Sequence, residues 1–551
     1  MRKRRVYTGA LAMVLTGSLV LAGCGPKTDN SPVSAADPQS SGNAAAVKTS
    51  ATINIESEPP QLSSLRTTDV VSMNVLRHVQ EGLTRLDQSN QPIPGAAESW
   101  EVSGDGLMYT FHLRDMKWSD GSSVAASDFA FAWKLILSPG YGAPYAYLLY
   151  PIAGAQDYNA GTGSEDAIGI KVVDEKTLQV TLSQPTAYFP FLTAAASYLP
   201  INEANYSKQT ADGYGAEAAT LLYNGPWKID SWEHNSQITL VKNEDYYDAA
   251  SVKLDTINMK IVSEAGTAYN MFASGELDTV TLHDGDQIQQ AKNAGYEVLT
   301  KSDGATSYFV YNTQDAILKN NNVRTALTYA IDRTSLINNV LKDSSVPALS
   351  FTNPDVSGEN GSFKEEVGDL LKDNDGAEAK NYLDAGLTEL GLTALPALTL
   401  LIDDRGAKKT EAAAYQEFWK KNLGIEVDIE VMPYKAMRAK VDSKDFQIAI
   451  GGWGPDYNDP MTFLDMLVTG GGNNSSSYSN TEYDQYITQA TVEKDPAKRF
   501  GLLRQAETKL MQDLPIGPIY FMNQSYAVQP GLKGVVRSAF QDINLYWAYF
   551  E

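Results

Sequence analysis

From residue 51 onward the hydrophobic pattern keeps changing its period, and this constrains the fold more than any other feature. Tyr109, Phe111 and Leu113 alternate with Thr110, His112 and Arg114, the period of two expected of a strand with one covered face. Leu178, Val180 and Leu182 repeat it, as do Ile425, Val427, Ile429 and Val431 against Glu426, Asp428 and Glu430. Short strands are also predicted at 52–55, and as neighbours at 227–229 and 238–241. Between them the period lengthens to that of a helix. Val71, Val75, Leu76, Val79 and Leu83 share one face of a helix predicted over 70–86, and Phe129, Ala132, Trp133 and Ile136 share another, capped by Ser127 or Asp128. A stripe of Val323, Ala326, Leu327, Ala330 and Ile331 leads into a second helix that Asp332 would cap. The sequence shows no fixed-period repeat. These patterns predict an α/β protein, and 551 residues exceed what one core organises, so at least two lobes are expected.

One stretch, residues 446–460 (FQIAIGGWGPDYNDP), joins a strand to a loop rich in turn formers. Phe446, Ile448 and Ile450 alternate with Gln447 and Ala449. Gly451, Gly452, Gly454, Pro455, Asn458 and Pro460 then follow, so the strand is predicted to end before Gly451 and to deliver a tight turn carrying Trp453 and Asp456. On these residues alone a packed surface turn and a binding site are equally good readings.

Charge and cysteine content exclude several classes. A net charge of −23 repels phosphate backbones, so no nucleic-acid partner is expected. The single cysteine, Cys24, permits no internal disulfide, and His78, His112, His234 and His283 lack metal-ligand spacing. No G-x-S-x-G or H-E-x-x-H organises a nucleophile or a zinc. Residues 373–376 (DNDG) suit a helix-capping turn before Ala377 better than a calcium loop, because Leu371 would occupy the first ligand position. Neither a cofactor nor a metal is expected, and an enzyme such as a secreted hydrolase is disfavoured.

The amino terminus reads as an export signal. Arg2, Lys3, Arg4 and Arg5 precede an apolar run at 11–21 that is too short to span a bilayer. Leu21-Ala22-Gly23-Cys24 closes it and looks like a bacterial lipobox, making 1–23 a lipoprotein signal peptide and Cys24 the lipidated first residue of the mature chain. Residues 24–50, rich in Ser, Ala, Asn, Pro and Gly, read as a flexible tether. The expected location is the outer face of the cell membrane, held by lipid.

Several segments in order resemble the extracytoplasmic solute-binding proteins of peptide ABC transporters, the oligopeptide-binding family. They are residues 96–134 (AAESWEVSGDGLMYTFHLRDMKWSDGSSVAASDFAFAWK), 143–158 (APYAYLLYPIAGAQDY), 224–232 (NGPWKIDSW), 270–278 (NMFASGELD), 323–333 (VRTALTYAIDR) and the GGWGPDYNDP loop. The resemblance implies a two-lobed periplasmic-binding-protein-like fold with a hinge. Lobe I would take 51–304 with a subdomain at about 71–199, lobe II 305–515, and 516–551 would return to lobe I. It implies a monomer that binds oligopeptides between the lobes, closes on them and presents them to an ABC permease. Asp456 would hold the ligand ammonium with Trp453 beside it, and Gly451 and Gly452 would let the ligand backbone approach and pair as an added strand. Asn270 matches a position that bonds the peptide backbone, and Tyr145, Tyr308 and Glu58 fall near contact positions. The chain departs from some relatives in carrying Ile450 where an arginine contacts ligand. A sugar, a metal chelate or a signalling peptide are the alternative ligands for the same fold.

Overall fold

The computed structural model describes residues 48–404 and 408–551, so the leader, Cys24 and most of the tether lie outside the described residues. Three sheets organise the rest. The first has the order Ser50–Asn54, Thr256–Lys260, Gln237–Lys242, Trp227–Glu233, with only the first pair parallel. A second, antiparallel sheet of Ala97–Val102, Met108–Leu113, Thr177–Thr181 and Ile170–Asp174 is covered on one face by the helix Ala126–Leu137. Phe129 and Trp133 on that helix are fully buried, with Ile136 almost so, which stabilises by about 1.5–3 kcal/mol each. The Trp133 indole donates to the Tyr198 carbonyl at 2.9 Å, so the bulky ring leaves no polar atom unsatisfied.

The third sheet is the largest and is built around two long antiparallel strands, Val298–Tyr311 and Ile516–Val528. Their pairing breaks register between Ser302 and Thr306. On one side of the break, 298–302 pairs with 523–527, and the second strand also pairs with Thr279–Leu282. On the other, 306–310 pairs with 516–521, and Ile448–Trp453, Leu398–Asp403 and Val427–Met432 extend the sheet. Gly304 lies in the break at φ +70, where a Cβ would come within 2.6 Å of Ala539 and 2.9 Å of Pro455. The chain therefore has the two-lobed α/β architecture expected of it. Among the described residues no helix is long and apolar enough to cross a membrane.

Four local expectations are corrected. The helix starting at Val70 stops at Val79, and Thr84–Leu86 is a strand paired with Pro92–Pro94; Gly82 separates them, where any side chain would run into the Thr193 carbonyl at 2.5 Å. The cap of Ala126–Leu137 is at Ala125, and Asp128 acts from inside the helix, accepting from the Ala125 amide at 3.0 Å and the Trp118 indole at 2.9 Å. Asp332 does cap a helix, but it runs only from Arg333–Leu336 before widening into a π-turn at Ile337–Leu341. Finally, the strand predicted to end before Gly451 continues through both glycines to Trp453. Gly451 faces Tyr308 across the ladder, and a Cβ there would lie 2.8 Å from the Tyr308 ring. The glycine is needed for this close approach and does not end the strand.

Candidate functional site

Among the described residues, the strand Ile448–Trp453 is fully paired on one side only. Toward Val298–Tyr311 its register runs without interruption from Ile448 to Trp453, whereas its pairing with Leu398–Asp403 stops at Ala449. Among the described residues the backbone of Gly451, Gly452 and Trp453 thus has no strand partner on that side and forms a short open sheet edge, where Gly452 is exposed. The loop after it is held rigidly. Thr462 accepts from the Trp453 indole through its carbonyl at 2.7 Å and from the Asp456 amide through its hydroxyl at 3.0 Å. Below, the buried Arg499 grips Asp459 with two bonds of 2.6 and 2.8 Å. Tyr457 stacks on Tyr188 with ring centroids 3.9 Å apart and nearly parallel, joining the loop to the segment below the second sheet.

Asp456 is thereby fixed in backbone while its side chain opens on two cavities. One, of about 230 Å³, also takes in Tyr145, Pro455, Arg77, Phe191 and Phe540. The other, of about 400 Å³, takes in Trp453, Tyr147, Tyr188 and Asp465. Asp456 is exposed toward these cavities, yet partial desolvation by the surrounding protein raises its carboxyl to about 6, and among the described residues no cation lies within ion-pair distance to offset it. Asp465, also exposed, is raised further, to about 7, first by desolvation and then by the charges of Asp456 and Asp459, against a hydrogen bond from the Tyr457 hydroxyl at 3.3 Å. Enclosure and the Asp456 charge also raise the Tyr145 and Tyr147 hydroxyls. A third cavity, of about 240 Å³, lies along the open sheet edge and is lined by Gly451, Gly452, Trp453, Tyr308, Ile450 and Arg438.

Of the residues singled out from the sequence, Asp456, Trp453, Gly451, Gly452, Tyr145 and Tyr308 come together around these cavities. Tyr308 is buried, edge-on to Phe351 at 5.3 Å. Two do not join them. Asn270 sits on the exposed side of the helix Ala265–Ala273, and Glu58 accepts from the Trp232 indole at 2.9 Å and the Asn235 amide at 2.8 Å, beside His234. Neither lines any of the three cavities.

Comparison with known proteins identifies the architecture. The profile of bacterial extracellular solute-binding proteins, family 5, matches residues 91–475. The chain belongs to this family. It is 38 % identical over 519 residues to the oligopeptide-binding protein OppA of Bacillus subtilis, covering 92 % of this chain and 93 % of that one. It is 37 % identical over 501 residues to the dipeptide-binding protein DppE of the same organism, covering 90 % and 91 %. Among solved structures, Listeria monocytogenes OppA bound to peptide is similar at 32 % identity and a TM-score of 0.72, covering 91 % of this chain and 99 % of that one. The unliganded open form of the murein tripeptide binding protein MppA is similar at 28 % identity and a TM-score of 0.77, covering 91 % and 97 %.

In this family 5 protein the cavity linings contain charged residues that no sequence pattern singles out: Arg77, Glu81 and Arg85 in the first cavity, Asp465 in the second and Arg438 in the third. Asp465 lies on the turn after Met461–Leu464, and Arg438 on the helix Tyr434–Asp442, where it pairs with Asp442 at 3.1 Å. Neither carries a motif. Their sequence neighbours include other charged residues that face solvent, and only the folded chain separates the ones that face the cleft. The family is one of binding proteins, so the geometry is to be read as recognition and not as catalysis.

Proposed function

We propose that this chain is an extracytoplasmic receptor that captures oligopeptides between its two lobes and delivers them to an ABC permease. The observation that carries this is the pairing of Asp456 with an open backbone edge. Among the described residues, a carboxylate with no counter-ion stands just beyond a strand whose last three residues have no strand partner on one side. A peptide offers what both need: an ammonium for the carboxylate, and amides and carbonyls for the edge. Gly451 and Gly452 keep the edge free of side chains, and Trp453 walls the ammonium site. Arg438, in the cavity along the edge, offers a partner for a peptide carboxylate in place of an arginine at Ile450. Tyr145 and Tyr308 contribute walls, while Asn270 and Glu58 contribute only if they move toward the cleft.

The register break at 302–306 supports a hinge there, with lobe I at 51–304, its subdomain at about 71–199, and lobe II at 305–515. Because 516–521 pairs with 306–310, the return to lobe I fits better near 522 than at 516. Cleavage after residue 23 and lipidation of Cys24 would anchor a monomer on the outer face of the cell membrane, with 24–50 as its tether. The test is calorimetric titration of the protein with peptides of two to seven residues, each with a free and an acetylated amino terminus. Tight binding that acetylation weakens is the expected result. If no peptide binds, the peptide reading fails.

A further inference from the structure

The loop that carries Asp456 also touches the other lobe. With the lobes divided as proposed above, Tyr188 of the subdomain stacks on Tyr457 of lobe II, ring centroids 3.9 Å apart and planes 6° from parallel. One residue on, the Asn458 side-chain amide donates to the Asn90 carbonyl at 3.4 Å and to the Ser357 hydroxyl at 2.9 Å. The Gln91 side-chain amide donates to the same hydroxyl at 3.3 Å. Asn90 and Gln91 belong to a tight turn that is braced from within lobe I. Asn90 stands at φ +60, the Asp87 carboxylate accepts from the Gln91 backbone amide at 2.8 Å, and the Asn90 side-chain carbonyl accepts from the Ser538 hydroxyl at 2.7 Å. Gln91, Ser357 and Asn458 line a further cavity whose walls include neither Asp456 nor Trp453, so this polar half of the seam lies apart from the ligand cavities.

The two cavities on which Asp456 opens are each built from both lobes. Tyr145 and Phe191 line one together with Pro455 and Asp456, and Tyr147 and Tyr188 line the other together with Trp453 and Asp456. These walls stay together only while the loop lies against the subdomain. We propose that Tyr188, Asn90 and Gln91 are positioning residues that hold the Asp456 loop in place across the lobes before a ligand arrives. The seam then sets the fraction of ligand-free protein whose site is already assembled, and affinity scales with that fraction. The inference rests on the peptide-receptor reading for its ligand, whereas the seam itself does not depend on it. The stacked rings carry most of the effect, because hydrogen bonds of 3.3 and 3.4 Å at the edge of the protein add little. One aromatic pair biases an equilibrium between assembled and separated lobes without locking it, which leaves the lobes free to open for release.

The test is small-angle scattering of the ligand-free wild type, Tyr188→Leu and Tyr188→Phe, each then titrated with one peptide. Tyr188→Leu removes the stack. It is expected to raise the ligand-free radius of gyration, to return to the wild-type value at saturating peptide, and to weaken binding about fivefold, the scale of one aromatic pair. Tyr188→Phe keeps the stack and is expected to restore both the radius and the affinity. A residue that only touched ligand would lose affinity with an unchanged ligand-free radius, and a purely structural one would give a radius that stays high with peptide bound. Either result would overturn the proposal. The double variant Gln91→Ala/Ser357→Ala, clear of Asp456, is expected to raise the ligand-free radius by less. It carries the test if Tyr188→Leu does not fold, and a wild-type radius there would then overturn the proposal. If no peptide binds, the receptor reading fails while the ligand-free comparison still decides the seam.

Discussion

Asp456 combines a fixed backbone with an unpaired charge, and its substitution is the sharpest probe of the site. Asp456→Ala is expected to weaken peptide binding by about 2–5 kcal/mol, the usual cost of truncating one partner of an enclosed charge pair. A folded variant with near-normal affinity would remove the residue from the site. Its proton equilibrium gives a second handle. In the free protein the carboxyl titrates near 6, above its ordinary value, so acid favours the neutral form that cannot pair with an ammonium. Affinity is therefore expected to hold near pH 7 and to fall as pH drops through 6 toward 5, with proton release on binding in that window. The sign for stability is opposite: the folded state binds a proton more readily than the unfolded one, so this group favours folding more as pH falls through the same range. Calorimetry in buffers of different ionisation heat reads the released protons directly. Turn formers around Asp456 and Trp453 mark the loop in the sequence, while the role proposed for them is implied only by the family resemblance. Asp465 and Arg438 carry no such local mark, since which charged side chains line a cavity is decided by the folded chain.

At the level of elements, the strand Ile448–Trp453 shows what alternation reveals and what it hides. The apolar period locates the strand, and the glycines read as its end because isolated glycines weaken strands. The ladder with Val298–Tyr311 overrides that weakness, and the Tyr308 ring occupies the space a Cβ would need. Gly451→Val is thus expected to destabilise the protein by about 1–3 kcal/mol through overpacking, seen as a lowered Tm; an unchanged Tm would mean the ring moves aside freely. The ion pair beneath the loop makes a separate prediction. Arg499→Met leaves Asp459 buried without its partner and is expected to cost about 3–5 kcal/mol of stability. Denaturant melts would measure it, and a loss below about 1 kcal/mol would contradict the pairing. The short helix Arg333–Leu336 and its π-turn are legible only at their Asp332 cap, because periodicity does not report where a helix widens.

For the whole molecule, the period changes and the length are enough to expect α/β lobes, whereas the two strands that run across the register break are not foreseeable. Their pairing is long-range, between residues about 200 apart in sequence, and leaves no local signal. If the break is a hinge, a saturating peptide is expected to lower the radius of gyration in small-angle scattering, and an unchanged profile would argue against closure. The anchor is tested in cells: Cys24→Ser is expected to release the protein from membranes or leave it unprocessed, and normal lipid labelling of that variant would defeat the lipobox reading.

The most direct measurement is a thermodynamic cycle on the ammonium contact. One tight-binding peptide, free and acetylated at its amino terminus, is titrated into the wild type and into Asp456→Asn. The two changes are expected to be strongly non-additive, acetylation costing the wild type most of what the substitution costs and costing the variant little. Additive losses would show that the ammonium and Asp456 do not meet, and would contradict the role assigned to this carboxylate.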